Sequence, residues 1–312
     1  MSNSDNRPLM VSIRCLVYNH EPYLRQCLEG FVMQKTNFRF EAIVHDDAST
    51  DKSADIIREY AEKYPDIIKP VYEDENVYSK SQILLRQLMN SLCKGKYVAT
   101  CEGDDFWTDP YKLQKQVDYM ESHPDCSMCF TDADVLFEDG VPTYKNSFYP
   151  EIVTRDWYGT DIVDQKSVIV PTASVLYIND LNDYPNDPRF MAGDVLLILF
   201  MMQKGYIHSF GEKMVTYRRN YGGVSLRTIN IQKLIAHYEA LKEYFGIQCL
   251  YLNRTIVIMQ MKAFRIGKFK KESWKALFYI LKSPRYTLLM FRILPEMIRS
   301  RNNNRDIKYV IK

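Results

Sequence analysis

The segment "KYVATCEGDDFWTDP" (96–110) joins an apolar, strand-like run to three closely spaced acidic residues, Glu102, Asp104 and Asp105. Carboxylates this close raise each other's pKa unless a positive charge lies among them. A divalent cation, a basic partner or plain solvent could satisfy them. The segment therefore predicts a buried strand that leads into an acidic site at its carboxyl end.

On both sides of this segment, strand-like and helix-like patterns alternate along the chain. This order predicts an α/β fold with a mainly parallel sheet and helices on both of its faces. The expected strands cover residues 10–17, 39–46, 67–72, 96–101 and 126–137. The expected helices cover residues 21–34, 51–65, 80–93 and 110–124.

The second half of the chain is less regular. A strand-like run at 171–178, a buried helix at 193–205 and a last strand at 213–219 are expected there. From residue 226 onwards the sequence pattern changes to long helical stretches with basic edges. The sequence thus predicts a domain over 1–225 and a basic, helix-rich C-terminal region over 226–312.

A second acidic cluster, "HDDASTD" (45–51), follows the expected strand at 39–46. In an open parallel sheet the carboxyl ends of the strands share one edge, where ligands bind. The two acidic clusters should therefore meet in one crevice, where their oxygens suit Mg²⁺ or Mn²⁺. Either cluster alone is also typical of a solvated, helix-capping turn. Because the sequence has no glycine-rich phosphate loop, a metal and side chains would have to hold any phosphate.

Charge is unevenly divided along the 312 residues. Residues 262–312 contain 14 Lys or Arg and 3 Asp or Glu, whereas the preceding 261 residues contain 27 basic and 36 acidic residues. A basic segment with apolar stretches favours an anionic membrane surface or an acidic partner. The same pattern fits helices that pack on the sheet domain or on a second subunit of a homo-oligomer. The basic residues elsewhere are scattered, which argues against nucleic-acid binding.

The seven cysteines lie mostly in apolar runs, which predicts reduced, buried thiols and a cytoplasmic protein. Cys126 and Cys129 form a lone C-x-x-C in a strand-like context, which does not predict a metal site. The N-terminal "MSNSDNRP" lacks the apolar core of a signal peptide. No apolar run approaches ~18 residues, so we expect no membrane span and, at most, attachment to the inner face of the membrane.

Three segments together resemble a known family: "VSIRCLVYNHEPYLRQCLEGFVMQ" (11–34), "EAIVHDDASTDKSADIIREYAEKYP" (41–65) and "GKYVATCEGDDFWTDPYKLQKQVDYMESHP" (95–124). They look like the inverting nucleotide-sugar glycosyltransferases of family 2, which have the GT-A fold. A fourth segment, 193–225, is similar to the acceptor-side half of bacterial members. The resemblance covers roughly residues 9–225. It implies transfer of a sugar from a nucleotide sugar to a glycan or lipid-linked acceptor in surface polysaccharide synthesis, with Mn²⁺ or Mg²⁺ as cofactor.

The resemblance also implies roles for single residues in donor binding. Asp46 and Asp47 would meet the edge of the base or ribose, and Asp105 would contact the donor sugar or brace the site. The base and ribose would be lined by the segment that contains Leu16, Tyr18, Asn19 and Glu21.

The remaining implied roles concern the metal and the acceptor. Asp104 would bind the metal that bridges the diphosphate. Glu102 and Asn220 stand where relatives carry an Asp and a His near the metal, and their oxygens still suit a hard cation. Asp194, in "AGDV", matches the general base of the family. The same Asp194 is also a suitable N-cap for a helix over "VLLILF".

Two other interpretations of the sequence stay open. A nucleotidyl- or phosphotransferase could be built on a similar sheet, although the chain lacks a Lys- or Gly-rich phosphate loop. An inactive relative could serve as a scaffold at a membrane surface. The presence of Asp47, Asp104 and Asp194 weighs against that scaffold.

Overall fold

The computed structural model describes residues 6–137, 152–159, 170–190, 193–220 and 231–246, with the single positions 257, 281, 284, 287 and 288. The chain divides into two compact units. The first unit comprises Met1–Gly159, Ile169–Asn186 and Phe200–Arg219. The second comprises Thr160–Val168, Asp187–Leu199 and Asn220–Lys312. Both acidic clusters therefore lie in the first unit.

The described residues contain one sheet of nine strands. These are β1 (Leu9–Val17), β2 (Arg39–Asp46), β3 (Ile68–Tyr72), β4 (Tyr97–Thr100), β5 (Phe106–Trp107), β6 (Cys126–Phe137), β7 (Arg155–Trp157), β8 (Leu176–Ile178) and β9 (Tyr206–Arg219). The strand order is β3-β2-β1-β4-β8-β6-β9-β5, and β7 also pairs with β9.

Strand directions divide this sheet into two parts. Strands β3, β2, β1 and β4 are parallel to one another, and β9 is parallel to β6. Strand β8 runs antiparallel between β4 and β6, and β5 and β7 run antiparallel to β9. The expected α/β sheet with flanking helices is confirmed, with short antiparallel strands that make it mixed.

Helices in the described residues are α1 (Glu21–Val32), α2 (Ser53–Lys63), α3 (Val77–Lys80), α4 (Gln82–Leu92), α5 (Lys112–Ser122), α6 (Gly193–Lys204) and α7 (Ile231–Phe245). In α1, Leu24, Leu28 and Phe31 recur at helical spacing and are fully buried. Gly30 lets α1 approach β5, because a Cβ there would lie 2.9 Å from the backbone nitrogen of Trp107.

The two faces of β1 differ in character. Val11, Ile13, Cys15 and Val17 belong to the main hydrophobic core, together with the apolar side of α1. Full burial of such a side chain stabilises the fold by about 1.5–3 kcal/mol. Because side chains alternate along a strand, Ser12, Arg14 and Leu16 face the other side of the sheet.

The helix expected over 80–93 is two helices in the structure. Ser81 has an extended backbone (φ −159°, ψ 108°), so α3 ends there and α4 begins after it. The Ser81 side chain accepts a hydrogen bond from the Leu84 N–H, and the Asn76 side chain accepts one from the Ser79 N–H. Two N-caps thus divide a segment whose apolar spacing resembles one helix.

Two further elements differ from the sequence prediction. The strand-like run at 171–178 begins with a 3-10 turn, Thr172–Ser174, and only Leu176–Ile178 pair as a strand. The last strand is longer than 213–219, because β9 pairs with β6 along nearly its whole length.

The C-terminal predictions fall mostly outside the described residues. The boundary at 225 lies in the segment 221–230, which the structure does not describe, and stays a prediction. The same holds for nearly all of the basic segment 262–312. Within the part of the chain that is described, no helix is both long enough and apolar enough to cross a bilayer.

Candidate active site

The carboxyl ends of β1, β2 and β4 meet at one edge of the sheet. Val17 at the end of β1 pairs with Asp46 at the end of β2, and its carbonyl accepts the Asp47 N–H at 2.9 Å. On the other side, the Gly103 N–H donates to the Leu16 carbonyl at 3.0 Å. Both acidic clusters therefore lie directly against the end of β1.

The loop after β1 is hydrogen-bonded to the loop after β2. Asn19 has a left-handed backbone (φ 57°), and its N–H donates to Ser49 Oγ at 2.9 Å. The Asn19 side-chain oxygen accepts the Thr50 N–H at 2.8 Å, and Glu21 Oε2 accepts the Lys52 N–H at 3.1 Å. These contacts hold the predicted nucleotide-lining segment in place.

Tyr18 follows β1 directly and is 39% exposed. Its ring is therefore accessible to a ligand at the same edge. Leu16 is partly buried, and its N–H donates to Glu102 Oε2 at 3.3 Å. The structure thus brings Leu16, Tyr18, Asn19 and Glu21 to the edge where the acidic clusters lie.

Asp46 and Asp47 are both buried, but their carboxylates have different surroundings. Both oxygens of Asp47 accept backbone N–H groups at the start of α3, from Val77 at 2.7 Å and from Tyr78 at 3.0 Å. Within the described part of the chain, Asp46 accepts one hydrogen bond, from the Ser49 N–H at 3.3 Å, and its Oδ1 has no partner. Asp46 therefore keeps an acceptor for a donor group on a ligand.

Glu102 is partly buried between β1 and the acidic turn. Burial raises its pKa to about 7, an effect that Arg14 opposes and the charge of Asp104 reinforces. Its hydrogen bond with the Leu16 N–H favours the charged form but does not offset burial. Glu102 is therefore only partly ionised at neutral pH.

Asp104 lies beside a histidine that the sequence analysis did not single out. Asp104 Oδ2 is 4.0 Å from His20 Nε2, and 18% of the Asp104 side chain is exposed. Burial lowers the pKa of His20 against the opposing effect of Asp104, so the ring is mostly neutral at pH 7. Gly103 is required here, since a Cβ would lie 2.7 Å from His20 Nδ1.

Asp105 stabilises the turn that contains Glu102 and Asp104. Its side chain is buried, and its Oδ1 accepts the Arg218 N–H at 2.7 Å. Burial raises the pKa of Asp105 well above its ordinary value, and Asp104 adds to that shift. Arg218 Nε in turn donates to the Asp104 carbonyl at 2.9 Å. The basic pair in "YRRN" was the only sequence signal for Arg218.

The other two predicted residues, Asp194 and Asn220, belong to the second unit. Asp194 lies in the first turn of α6, and its Oδ1 accepts the Val195 N–H at 2.8 Å. Much of the residue surface is open to solvent, yet the protein around the carboxylate raises its pKa. Asn220 follows β9 and is buried. The roles of both residues stay predictions.

The predicted metal site depends on which side chains could supply oxygen ligands. Among the described residues, no three His, Cys, Asp or Glu side chains are grouped to hold a metal ion. Mg²⁺ often takes only one or two carboxylates from a protein and the rest of its ligands from phosphates and water. The partly exposed carboxylate of Asp104 fits that mode, whereas Glu102 fits it only when ionised.

Comparison with solved structures defines the class of this fold. S. aureus TarS (residues 1–349), solved in complex with UDP-GlcNAc, is 18% identical with a TM-score of 0.64, and the match covers 94% of this chain and 88% of that one. A mannosyltransferase of Pyrobaculum calidifontis, solved with GDP-Man and Mn²⁺, is 15% identical with a TM-score of 0.52, covering 97% and 89%. The fold is that of the GT-A glycosyltransferases.

Sequence comparison shows which family and which proteins this chain resembles. Residues 12–165 match the model of glycosyl transferase family 2. An uncharacterized protein of Mycobacterium tuberculosis is 37% identical over 216 residues, which are 69% of this chain and 60% of the relative. The putative teichuronic acid biosynthesis glycosyltransferase TuaG of Bacillus subtilis is 28% identical over 211 residues, 67% of this chain and 79% of TuaG. The chain thus spans about 60% of the length of the mycobacterial relative.

Proposed function

We propose that this protein is a metal-dependent, inverting glycosyltransferase. It would move a sugar from a nucleoside diphosphate sugar to a hydroxyl of a glycan or lipid-linked acceptor in surface polysaccharide synthesis. The observation that carries the proposal is the meeting of Asp46 and Asp104 at the end of β1, within the residues that match the family 2 model. The description of TuaG as a putative teichuronic acid biosynthesis glycosyltransferase and the UDP-GlcNAc bound to TarS support this role by similarity.

Donor binding would use the edge formed by β1 and β2. Tyr18 offers an exposed ring for the base, and Asp46 offers an unsatisfied carboxylate oxygen for a base N–H or a ribose hydroxyl. Leu16, Asn19 and Glu21 shape this pocket through the two hydrogen-bonded loops. Asp47 would act mainly by fixing the start of α3 beside it.

Asp104 would hold Mg²⁺ or Mn²⁺, assisted by Glu102 and Asn220. When bound, such a cation offsets the negative charge of the leaving nucleoside diphosphate. His20, mostly neutral, shields one side of the Asp104 carboxylate from solvent. Asp105 and Arg218 would keep the turn in place.

Asp194 would act as the general base. Its raised pKa makes it a better proton acceptor than an ordinary carboxylate. In the proposed reaction Asp194 takes the proton of the acceptor hydroxyl as that oxygen attacks the anomeric carbon. The bond between that carbon and the diphosphate oxygen breaks, and the configuration inverts.

Incubation with a panel of UDP-, GDP- and dTDP-sugars, with and without Mn²⁺, tests the proposed function. We expect metal-dependent release of one nucleoside diphosphate in the presence of an acceptor extract. Transfer of a nucleotide or a phosphate instead would indicate the nucleotidyl- or phosphotransferase. The absence of binding and of release for every donor would indicate the inactive scaffold.

We also propose that the protein works at the cytoplasmic face of a membrane through residues 262–312. The support is the excess of basic residues there, each worth roughly 1 kcal/mol near an anionic surface. Full-length protein should co-sediment with anionic vesicles at low salt and be released by added salt. If it stays in the supernatant, packing of these residues on the sheet domain or on another subunit is the better explanation.

A further inference from the structure

The face of β1 turned away from the main core carries an unusual charge. Arg14 interrupts the apolar run "VSIRCLV" and lies level with Ile43 on β2 and Thr100 on β4. The groups that act on its charge, all in the first unit, are Tyr177, Glu102, Cys93 and Tyr184. The position therefore lies behind the acidic edge, under α4.

Arg14 is partly buried and lacks a hydrogen-bonded partner among the described residues. Its Nε is buried and has no hydrogen bond, and no hydrogen bond or ion pair reaches its guanidinium from the residues that the structure describes. Glu102 is the one carboxylate among the groups that act on its charge, and the described residues show no ion pair between the two. Burying a charge without a hydrogen-bonded partner is costly, so such a group points to a missing ligand.

A second arginine, Arg86, lies within electrostatic range of Arg14. Arg86 on α4 donates from Nη2 to the Pro185 carbonyl at 3.2 Å and to Asn186 Oδ1 at 3.4 Å, and its Cζ lies 5.1 Å from the Tyr184 ring centroid. Its Nε is also buried and without a partner. Burial lowers the pKa of Arg86, and the nearby charge of Arg14 lowers it further.

The two positive charges exceed the negative charge available to them. Glu102 is the one carboxylate among the groups that act on Arg14, so two guanidinium groups share a single carboxylate. Burial raises the pKa of Tyr177 to about 12, so its hydroxyl stays neutral and adds no negative charge. An oxyanion placed between Arg14 and Arg86 would satisfy both guanidinium groups.

We propose that Arg14 and Arg86 form an oxyanion site for a carboxylate or phosphate group carried by the sugar substrate. This inference rests on the proposed function, since it places an acidic sugar beside Glu102 and the donor edge. Guanidinium groups bind both oxyanions with paired hydrogen bonds, which a neutral sugar hydroxyl does not match. The enzyme would accordingly prefer an acidic sugar to its neutral counterpart.

Matched ligand pairs test the oxyanion site by calorimetry and thermal shift. The pairs are UDP-glucuronate with UDP-glucose and GDP-mannuronate with GDP-mannose, each measured with wild-type protein, R14M, R86M and R155Q. We expect one acidic ligand to bind at least about tenfold more tightly than its neutral partner. R14M and R86M should remove that preference. R155Q should keep it, because exposed Arg155 pairs near the start of β9, at the opposite edge of the sheet.

Inorganic phosphate and free glucuronate, each added with nucleoside diphosphate, identify the source of the oxyanion. An Arg14-dependent rise in melting temperature with phosphate alone would assign the site to a phosphate group. The same rise with glucuronate alone would assign it to a sugar acid. If no acidic ligand has an effect that depends on Arg14, the inference is wrong.

The melting temperature of ligand-free R14M gives an independent check. It should equal or exceed that of the wild type, because the substitution removes a buried charge without a partner. A fall of more than about 4 °C would show that Arg14 supports the fold itself, and would overturn the oxyanion site. Donor turnover separates the two proposals: an acidic-ligand preference without any sugar transfer would contradict the proposed function and leave the site standing.

Discussion

The two acidic clusters look alike in sequence but differ in what surrounds their carboxylates. After β2, Asp47 accepts two backbone N–H groups and fastens α3. After β4, Glu102 and Asp105 each accept one backbone N–H, and burial still raises the pKa of both. Asp47 of the first cluster is therefore satisfied by its own chain, whereas the hydrogen bonds of Glu102 and Asp105 do not offset the effect of burial on their pKa values.

This difference indicates where a ligand acts. A carboxylate that accepts backbone N–H groups is stabilised in its charged form without help from outside. Buried acids with raised pKa values lower the stability of the ligand-free protein and are common at functional sites. We therefore expect substitutions after β4 to affect activity most, and substitution of Asp47 to affect stability most.

The largest effect is expected for D104A. Loss of the carboxylate should nearly abolish sugar transfer, by on the order of 10³-fold or more, because metal stabilisation of the leaving group is worth several kcal/mol. Calorimetry should also show that Mn²⁺ no longer strengthens the binding of nucleoside diphosphate.

The control for this variant is D118N, since Asp118 is an acid on α5 whose Oδ1 binds Gln114 Nε2 at 2.8 Å. D118N should leave both turnover and metal-dependent binding unchanged. Unchanged Mn²⁺-dependent binding in D104A would refute the metal role of Asp104.

The next effect concerns Asp194, a third acid, at the start of a helix. D194N preserves the shape of the side chain and its hydrogen bond with Val195, but it cannot accept a proton. We expect turnover to fall by about 10²–10⁴-fold, with donor affinity within a few fold of wild type. If more than about a tenth of the turnover remains, Asp194 serves only the helix.

A smaller effect, on stability, distinguishes Asp47 from its neighbour. D47A leaves the Val77 and Tyr78 N–H groups without their acceptors, and the free energy of unfolding should fall by about 2–4 kcal/mol. D46N should change stability much less but weaken nucleotide binding, since Asp46 Oδ1 has no partner among the described residues. Denaturant unfolding and nucleotide titration of both variants measure this contrast. Equal losses of stability would remove the distinction.

The sequence predicted the architecture well, but it did not predict which of these acids bind backbone N–H groups and which keep an oxygen for a ligand. Strands β2 and β6 have the predicted bounds, because their apolar residues are continuous and turn residues follow them. The break at Ser81 was missed, since a capping side chain can interrupt a segment without changing its apolar spacing. Asp46 and Asp47 are adjacent acids, so no pattern could say which one accepts the N–H groups of α3. Arg14 was visible as a charge inside an apolar strand, but its lack of a partner depends on tertiary packing.

The smallest effect is the pH dependence that Glu102 gives to stability. Its pKa is raised to about 7 in the folded protein from an ordinary value of 4.5. Below pH 4.5 Glu102 is protonated in both the folded and the unfolded states, so it does not lower the free energy of unfolding. As the pH rises towards 7, the unfolded chain loses this proton more readily than the folded one. The wild type should therefore lose stability across this window.

E102Q removes that titration while it keeps an acceptor for the Leu16 N–H. Relative to wild type, E102Q should gain about 1–2 kcal/mol in its free energy of unfolding between pH 5 and pH 8. The matched control is E121Q on α5, because hydrogen bonds from Lys96 and Tyr97 lower the pKa of Glu121. Glu121 therefore titrates below this window, and its variant should differ from wild type by a constant amount. If the E102Q curve also runs parallel to the wild-type curve, Glu102 is ionised throughout. Burial then does not raise its pKa, and the contrast between the two clusters is wrong.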